Sequence, residues 1–153
     1  MIYTARFAHL EKLPPYKVGR VILRGDKVGR MGNTGQSSAA HLHFDCVEGL
    51  QTGRYSLAMM EAGNPKPSAR QANWFIDSEL FGVEPFITTY YSDPAYQRLY
   101  GKDHPGYDIV PINRHDTVRN FDIHWNRSVP GRVVAIYDDL GGYGICVYIA
   151  FEI

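Results

Sequence analysis

Apolar positions in this chain recur mostly two residues apart. The clearest case is AAHLHFDC (39–46), where Leu42, Phe44 and Cys46 alternate with His41, His43 and Asp45. Successive side chains of a strand point to opposite faces, so the first three predict a core face and the second three a shared polar face. The opening residues 1–9 alternate more loosely, Ile2, Thr4 and Arg6 against Tyr3, Ala5 and Phe7, and predict a strand with His9 on the Phe7 face. PFITTYY (85–91), GYDIVPI (106–112), GRVVAIY (131–137) and GICVYIAFEI (144–153) predict further strands. LEKLPPYKVGR (10–20) carries two prolines and a glycine and predicts a loop. VILRGDKVGRMGNTGQSSAA (21–40) predicts short β pieces between turns. Helix signals are few. SARQANWFIDSELF (68–81) offers Ser68 as a cap, Gln71 three residues on, and an apolar side of Trp74, Phe75 and Leu80. SDPAYQRLYG (92–101) predicts one helical turn ended by Gly101.

Composition narrows the class. A length of 153 residues suits one domain with a sizeable core. Lys+Arg and Asp+Glu balance at 16 each, and no basic run is present, which argues against a nucleic-acid binder working by bulk charge. The apolar runs are too short to cross a membrane, and MIYTARFAHL does not read as a signal peptide. Cys46 and Cys146 are far apart in sequence and predict two buried free thiols rather than a metal-binding pair. The 15 glycines and 11 tyrosines favour turns and strands over a helix bundle.

Three stretches carry candidate chemistry. In HLH, His41 and His43 on one strand face would set a metal ligand beside a catalytic base. In KDHPGYDIV (102–110), His104 and Asp108 stand four apart across Pro105 and Gly106, so imidazole and carboxylate meet across a turn or along a strand. His43, His104 and Asp108 together make three ligands with an open fourth position, as in a catalytic zinc site, and imidazole with carboxylate oxygen suits that metal. The third stretch is FAHL (7–10), with His9. Each histidine taken alone is more often a packed or surface residue than a ligand. His115 and His124 have no partner at a telling spacing and are assigned that ordinary role. Gly29, Gly32 and Gly35 do not form a phosphate-binding loop, because neither a strand–GxGxxG–helix unit nor a GxxxxGK[ST] pattern is present. They predict positive-φ turns feeding the HLH strand.

Together, HPGYD (104–108), FAHL, MGNTGQSS (31–38) and HLHFD (41–45) resemble the motifs of the lysostaphin-like, LytM-type zinc endopeptidases that cleave peptidoglycan. GRVVAIYDDLGGYGICVYI (131–149) is similar to that family's glycine-rich strand pair. The resemblance covers residues 1–46 and roughly 86–153. It departs in order: the family has HxxxD first and HLH last, and here HLH comes first. Reading 100–153 and then 1–46 restores the usual order, which is the signature of a circular permutation. In that order GICVYIAFEI and MIYTARFAHL would be two strands of one hairpin, and hairpin tips tolerate cuts well. Ala39-Ala40 also stands where the family commonly has Gly-Pro.

The resemblance implies a mainly β fold with minor α, an antiparallel sheet core, and one or two short helices in the connecting segment. It implies a single permuted domain over 1–153: the AHL/GNTG/HLHF half at 1–46, a connection at 47–85 with the 68–81 helix outside the sheet, and the HxxxD half at 86–153. Residues 111–130 are longer than the family needs and predict a loop beside the cleft. His43, His104 and Asp108 would hold Zn²⁺, and His9 and His41 would be the catalytic pair. A tyrosine donor to the oxyanion is open to Tyr90, Tyr91 and Tyr107, for which ordinary packing is the better reading. The implied activity is zinc-dependent hydrolysis of stem-peptide or cross-bridge bonds at the bacterial cell wall. A phage tail component and a lytic protein released without a signal peptide both fit, with other virion proteins as partners in the first case. The alternative is a non-catalytic LytM-like binding or structural module; the presence of all five residues favours the enzyme.

Overall fold

In a computed structural model the protein is described over residues 2–37, 39–53, 85–89, 94–101, 106–111 and 122–152. The strands are β1 (Ile2–Leu10), β2 (Val21–Ile22), β3 (Lys27–Arg30), β4 (Leu42–Glu48), β5 (Pro85–Thr89), β6 (Tyr107–Pro111), β7 (Asp122–His124), β8 (Gly131–Asp139) and β9 (Gly144–Glu152). The described helix, α1, is Pro94–Tyr100. The fold is mainly β, as the alternation predicts. The candidate helix at 68–81, most of the 47–85 connection and residues 112–121 of the candidate loop lie outside the described residues.

Seven strands form one sheet in the order β2-β8-β9-β1-β4-β6-β5, and β3 pairs with β7 separately. The pairings are antiparallel. The chain's first and last strands are neighbours in the middle of the sheet, with Ile2 across from Glu152 and Phe7 across from Val147.

One face of the sheet is apolar. Ala5 and Phe7 of β1, Leu42, Phe44 and Cys46 of β4, Ile109 of β6, Val133 of β8, and Val147, Ile149 and Phe151 of β9 form a single cluster. Val28 of β3, Ile123 of β7 and Trp125 belong to the same cluster, so the small β3–β7 ribbon closes that face. Trp125 is fully buried edge-on to Phe151 at 5.4 Å, and its indole N–H donates to the Val129 carbonyl at 2.9 Å. Burial of side chains this large is worth about 1.5–3 kcal/mol each, which makes this layer the main source of stability. Both cysteines are free and buried, as their spacing predicts.

The opposite face carries Thr4, Arg6, His43 and Asp45 beside a smaller cluster of Ala8, Ala135, Cys146 and Tyr148. β4 alternates as its sequence predicts. β1 does not alternate throughout: its register against β9 shifts between Phe7 and Leu10, and His9 takes φ +59°. The bulge puts an additional residue into β1. His9 therefore faces the imidazoles of His41 and His43, while Leu10 returns to the Phe7 cluster. The expectation that Phe7 and His9 share a face is corrected by this bulge.

Candidate active site

Pairing between β4 and β6 sets His43 directly across from Asp108. Cross-strand partners on one face are close enough for side chains to meet, and His43 Nδ1 lies 3.1 Å from Asp108 Oδ1. His41 stands just before β4, held by its own N–H donating to the Gly32 carbonyl at 3.1 Å. Its Nδ1 is 2.8 Å from the Ala39 carbonyl oxygen, so that nitrogen carries a hydrogen, and Nε2 is 3.4 Å from Asp108 Oδ1. The His9 ring lies 4.8 Å from that of His41 and 6.2 Å from that of His43, centroid to centroid. Four of the five residues singled out in the sequence (His9, His41, His43 and Asp108) are thus gathered at one end of β1, β4 and β6. His104 lies outside the described residues, as do Tyr90 and Tyr91.

Behind His43 is a polar arrangement that sequence reading did not assign to the site. His43 Nε2 is 3.1 Å from Asp45 Oδ2. Arg6 Nε donates to Asp45 Oδ1 at 3.1 Å, and Arg6 Nη2 donates to Asp45 Oδ2. The Arg6 guanidinium also lies 3.9 Å from the centre of the Tyr143 ring, which neighbours the His43 ring at 5.1 Å and the His9 ring at 6.0 Å. Arg6, His43 and Asp45 are all buried. A fully buried charge is tolerable only when paired and hydrogen-bonded, and the fork of Arg6 on Asp45 meets that condition. The signal for Asp45 was present in the alternation, two residues beyond His43 on the same face. Arg6 was visible as the one Lys, Arg, Asp or Glu in the strand IYTARFAHL.

Electrostatics separates the two inner histidines. Burial pushes the His9 imidazole down to about 4, and the nearby His41 and His43 add to that, against the acceptor carbonyl of Thr34. Burial would lower His43 as well, but the hydrogen-bonded carboxylates of Asp108 and Asp45 outweigh it and raise the value. Asp45 is pushed up by burial and brought down further by Arg6 and His43, so it stays ionised. His9 is consequently neutral at pH 7 and able to accept a proton.

Among the described residues no group of three His, Cys, Asp or Glu side chains forms a metal-holding cluster. Two of the three residues named for that role, His43 and Asp108, are described and converge. Their chemistry fits a zinc ion, with an imidazole nitrogen and a carboxylate oxygen side by side. Hydrogen bonding of the imidazole's remote nitrogen to a second carboxylate is a recurring feature of such sites. With Nε2 engaged by Asp45, Nδ1 is the nitrogen left facing Asp108.

Of the three glycines before HLH, only Gly35 has positive φ, at +75°. Gly32 is required for a different reason. A Cβ there would lie 2.4 Å from the Glu11 backbone, where the turn crosses the end of β1.

The sequence profile of peptidase family M23 matches residues 2–54. That stretch contains His9, the GNTG turn, His41, His43 and Asp45. At the level of family, the match supports a peptidase. No solved structure matches the chain.

Proposed function

We propose that the protein is a zinc-dependent endopeptidase that hydrolyses peptide bonds of bacterial peptidoglycan, with His43, Asp108 and His104 holding the metal and His9 and His41 facing the scissile peptide. The similarity of residues 2–54 to peptidase family M23 supports the reaction class. The observation that carries the reading is convergence. His43 and Asp108, 65 positions apart in sequence, bring Nδ1 and Oδ1 to 3.1 Å beside two further imidazoles.

Zinc held there supplies a Lewis acid and shifts the pKa of water to about 7. The chain's own residues do the rest. Asp45, clamped by Arg6, fixes the ring of His43 through Nε2. His9, neutral at pH 7, takes a proton from the attacking water and returns one to the leaving amine. His41, with Nδ1–H turned to Ala39, presents Nε2 toward the same space and steadies charge on the peptide oxygen when protonated. The permuted motif order belongs to this reading as well, since β9 and β1 pair as the two arms of one hairpin would.

Two measurements on purified protein test the proposal. Metal analysis is expected to give one zinc per chain in the wild type and substoichiometric zinc in His43→Ala and Asp108→Ala. Muropeptide digestion followed by mass spectrometry is expected to show a cleaved stem or cross-bridge bond with wild type and none with His9→Ala. Full zinc in both ligand variants would remove those residues from the site. Stoichiometric zinc without any cleaved bond would favour the non-catalytic module instead.

A further inference from the structure

His9 occupies the left-handed region at φ +59°, a conformation that non-glycine residues seldom adopt. Three contacts hold it. Its backbone N–H donates to the Tyr143 carbonyl at 2.9 Å. Its ring Nδ1 stands 2.7 Å from the Thr34 carbonyl oxygen. A carbonyl only accepts, so Nδ1 carries the hydrogen and Nε2 of the neutral ring holds the free lone pair. The third contact is indirect and passes through the Thr34 side chain. The β1–β9 ladder breaks at the His9 bulge and resumes with Leu10 across from Ile145. Thr34 Oγ1 sits between the backbones of that pair, donating to the Leu10 carbonyl at 2.5 Å and accepting from the Ile145 N–H at 3.0 Å.

The turn around Thr34 is seated tightly. Gln36 N–H donates to the Gly142 carbonyl at 2.7 Å. A Cβ on Gly144 would lie 2.4 Å from the Thr34 carbonyl carbon, so the two turns touch backbone to backbone. The Thr34 carbonyl is therefore fixed relative to both strands that frame His9.

We propose that Thr34 is a positioning residue for His9: its hydroxyl replaces a rung of the β1–β9 ladder and so holds its carbonyl on Nδ1, leaving Nε2 as the proton acceptor turned to the reacting peptide. The catalytic consequence rests on the peptidase reading above, whereas the tautomer assignment stands apart from it.

The test compares the wild type with Thr34→Val and Thr34→Ser in the full chain. Valine keeps the shape and removes the hydroxyl; serine keeps the hydroxyl. Two-bond ¹H–¹⁵N spectra at pH 7 read the His9 tautomer directly. The wild type and Thr34→Ser are expected to show hydrogen on Nδ1, and Thr34→Val a mixture of both tautomers. In muropeptide turnover, Thr34→Val is expected to lose about 10- to 100-fold in kcat with KM within about twofold, at unchanged zinc content. Thr34→Ser is expected to stay within about threefold of wild type. A wild-type His9 carrying its hydrogen on Nε2 overturns the proposal at once, whatever the variants do. So do an unaltered tautomer in Thr34→Val, a Thr34→Ser as impaired as Thr34→Val, or loss of zinc together with activity. If the wild type cleaves no muropeptide, the peptidase reading fails, and the tautomer spectra alone still decide whether Thr34 positions His9.

Discussion

His9 combines two demands that seldom meet at one position: a left-handed backbone and a buried imidazole kept neutral. The backbone demand selects the substitution that isolates the ring, because asparagine visits that conformation more readily than other non-glycine residues. The ring demand has a pH signature in the metal-free protein. Burial sets the folded value at about 4 against an unfolded value of 6.5, so the unfolded chain binds more protons between those limits. Stability therefore falls as pH drops from 6.5 toward 4. His43 acts in the opposite sense. Its folded value is raised, so its contribution is complete below 6.5 and is lost as pH rises through the folded value. His9→Asn removes the first dependence and keeps the second. Urea unfolding of metal-free protein at pH 6.5 and pH 4 is expected to show the variant losing less stability than wild type, by on the order of 2 kcal/mol. An equal loss in both would mean that His9 is not held neutral. At this scale the sequence disclosed which side chains share a face better than it disclosed how they are held. Alternation brought out His41 and His43 and set Asp45 on their face. The Arg6 fork on Asp45 joins positions 39 apart in sequence, and no local pattern encodes such a contact.

Among the elements, strands were legible where the β-favouring pattern runs long enough to be read, and the three-residue β7, Asp122–His124, corrects the expectation of a loop in that part of 111–130. β4, β6, β8 and β9 follow their apolar patterns. The turn at the end of α1 was legible too: Gly101 has φ +72°, and its N–H donates to the Gln97 carbonyl at 2.8 Å. The bulge in β1 was not legible. A one-residue slip leaves no compositional mark when the residue at the bulge is a histidine rather than a glycine. The GNTG segment, whose glycines predict turns, is a packing surface as well, because Gly35 is pressed against Gly142 and Gly144 at the start of β9. This separates two glycines of similar backbone conformation. Gly19 has φ +99° with nothing within 4 Å of an added Cβ, whereas Gly35 has φ +75° and its Cβ would lie 2.2 Å from Gly144 N. Gly19→Ala carries only the backbone penalty, about 1–2 kcal/mol. Gly35→Ala adds a clash against main chain and is expected to cost at least about 2 kcal/mol more, with the His9 carbonyl contact displaced. Denaturant midpoints of the two variants measured side by side test the difference. Equal midpoints would show that the two turns do not bear on one another.

For the molecule as a whole, the sheet order explains how side chains far apart in sequence come to lie side by side. β1 lies between β9 and β4, and β6 lies beyond β4, so His9, His43 and Asp108 come from three adjacent strands. Adjacency in a sheet depends on pairing and not on the order in which the strands are synthesised. Ile2 lies across from Glu152 in an antiparallel pair, so only positions 153 and 1 would intervene if the strands were joined head to tail. A connection of that length is the two-residue β-hairpin loop, for which Asn-Gly is a preferred sequence because both positions take positive φ. A rearranged chain reading 85–152, Asn-Gly, then 2–53 keeps every described strand and removes the long connection. It is expected to fold with the same β9–β1–β4–β6 pairing. Amide protection on β1 and β9 should match that of the original chain, and His43 and Asp108 should remain across from one another. Rearrangement replaces one chain connection by another, and closure entropy varies only slowly with loop length, by about 0.6 kcal/mol per doubling. The stability of the rearranged chain should accordingly lie within a few kcal/mol of the original. Hydrogen exchange on the rearranged chain decides the matter. Loss of protection on β1 and β9 together, with the β3–β7 ribbon intact, would mean that the native order of synthesis, and not the hairpin relation of the two strands, holds the centre of the sheet.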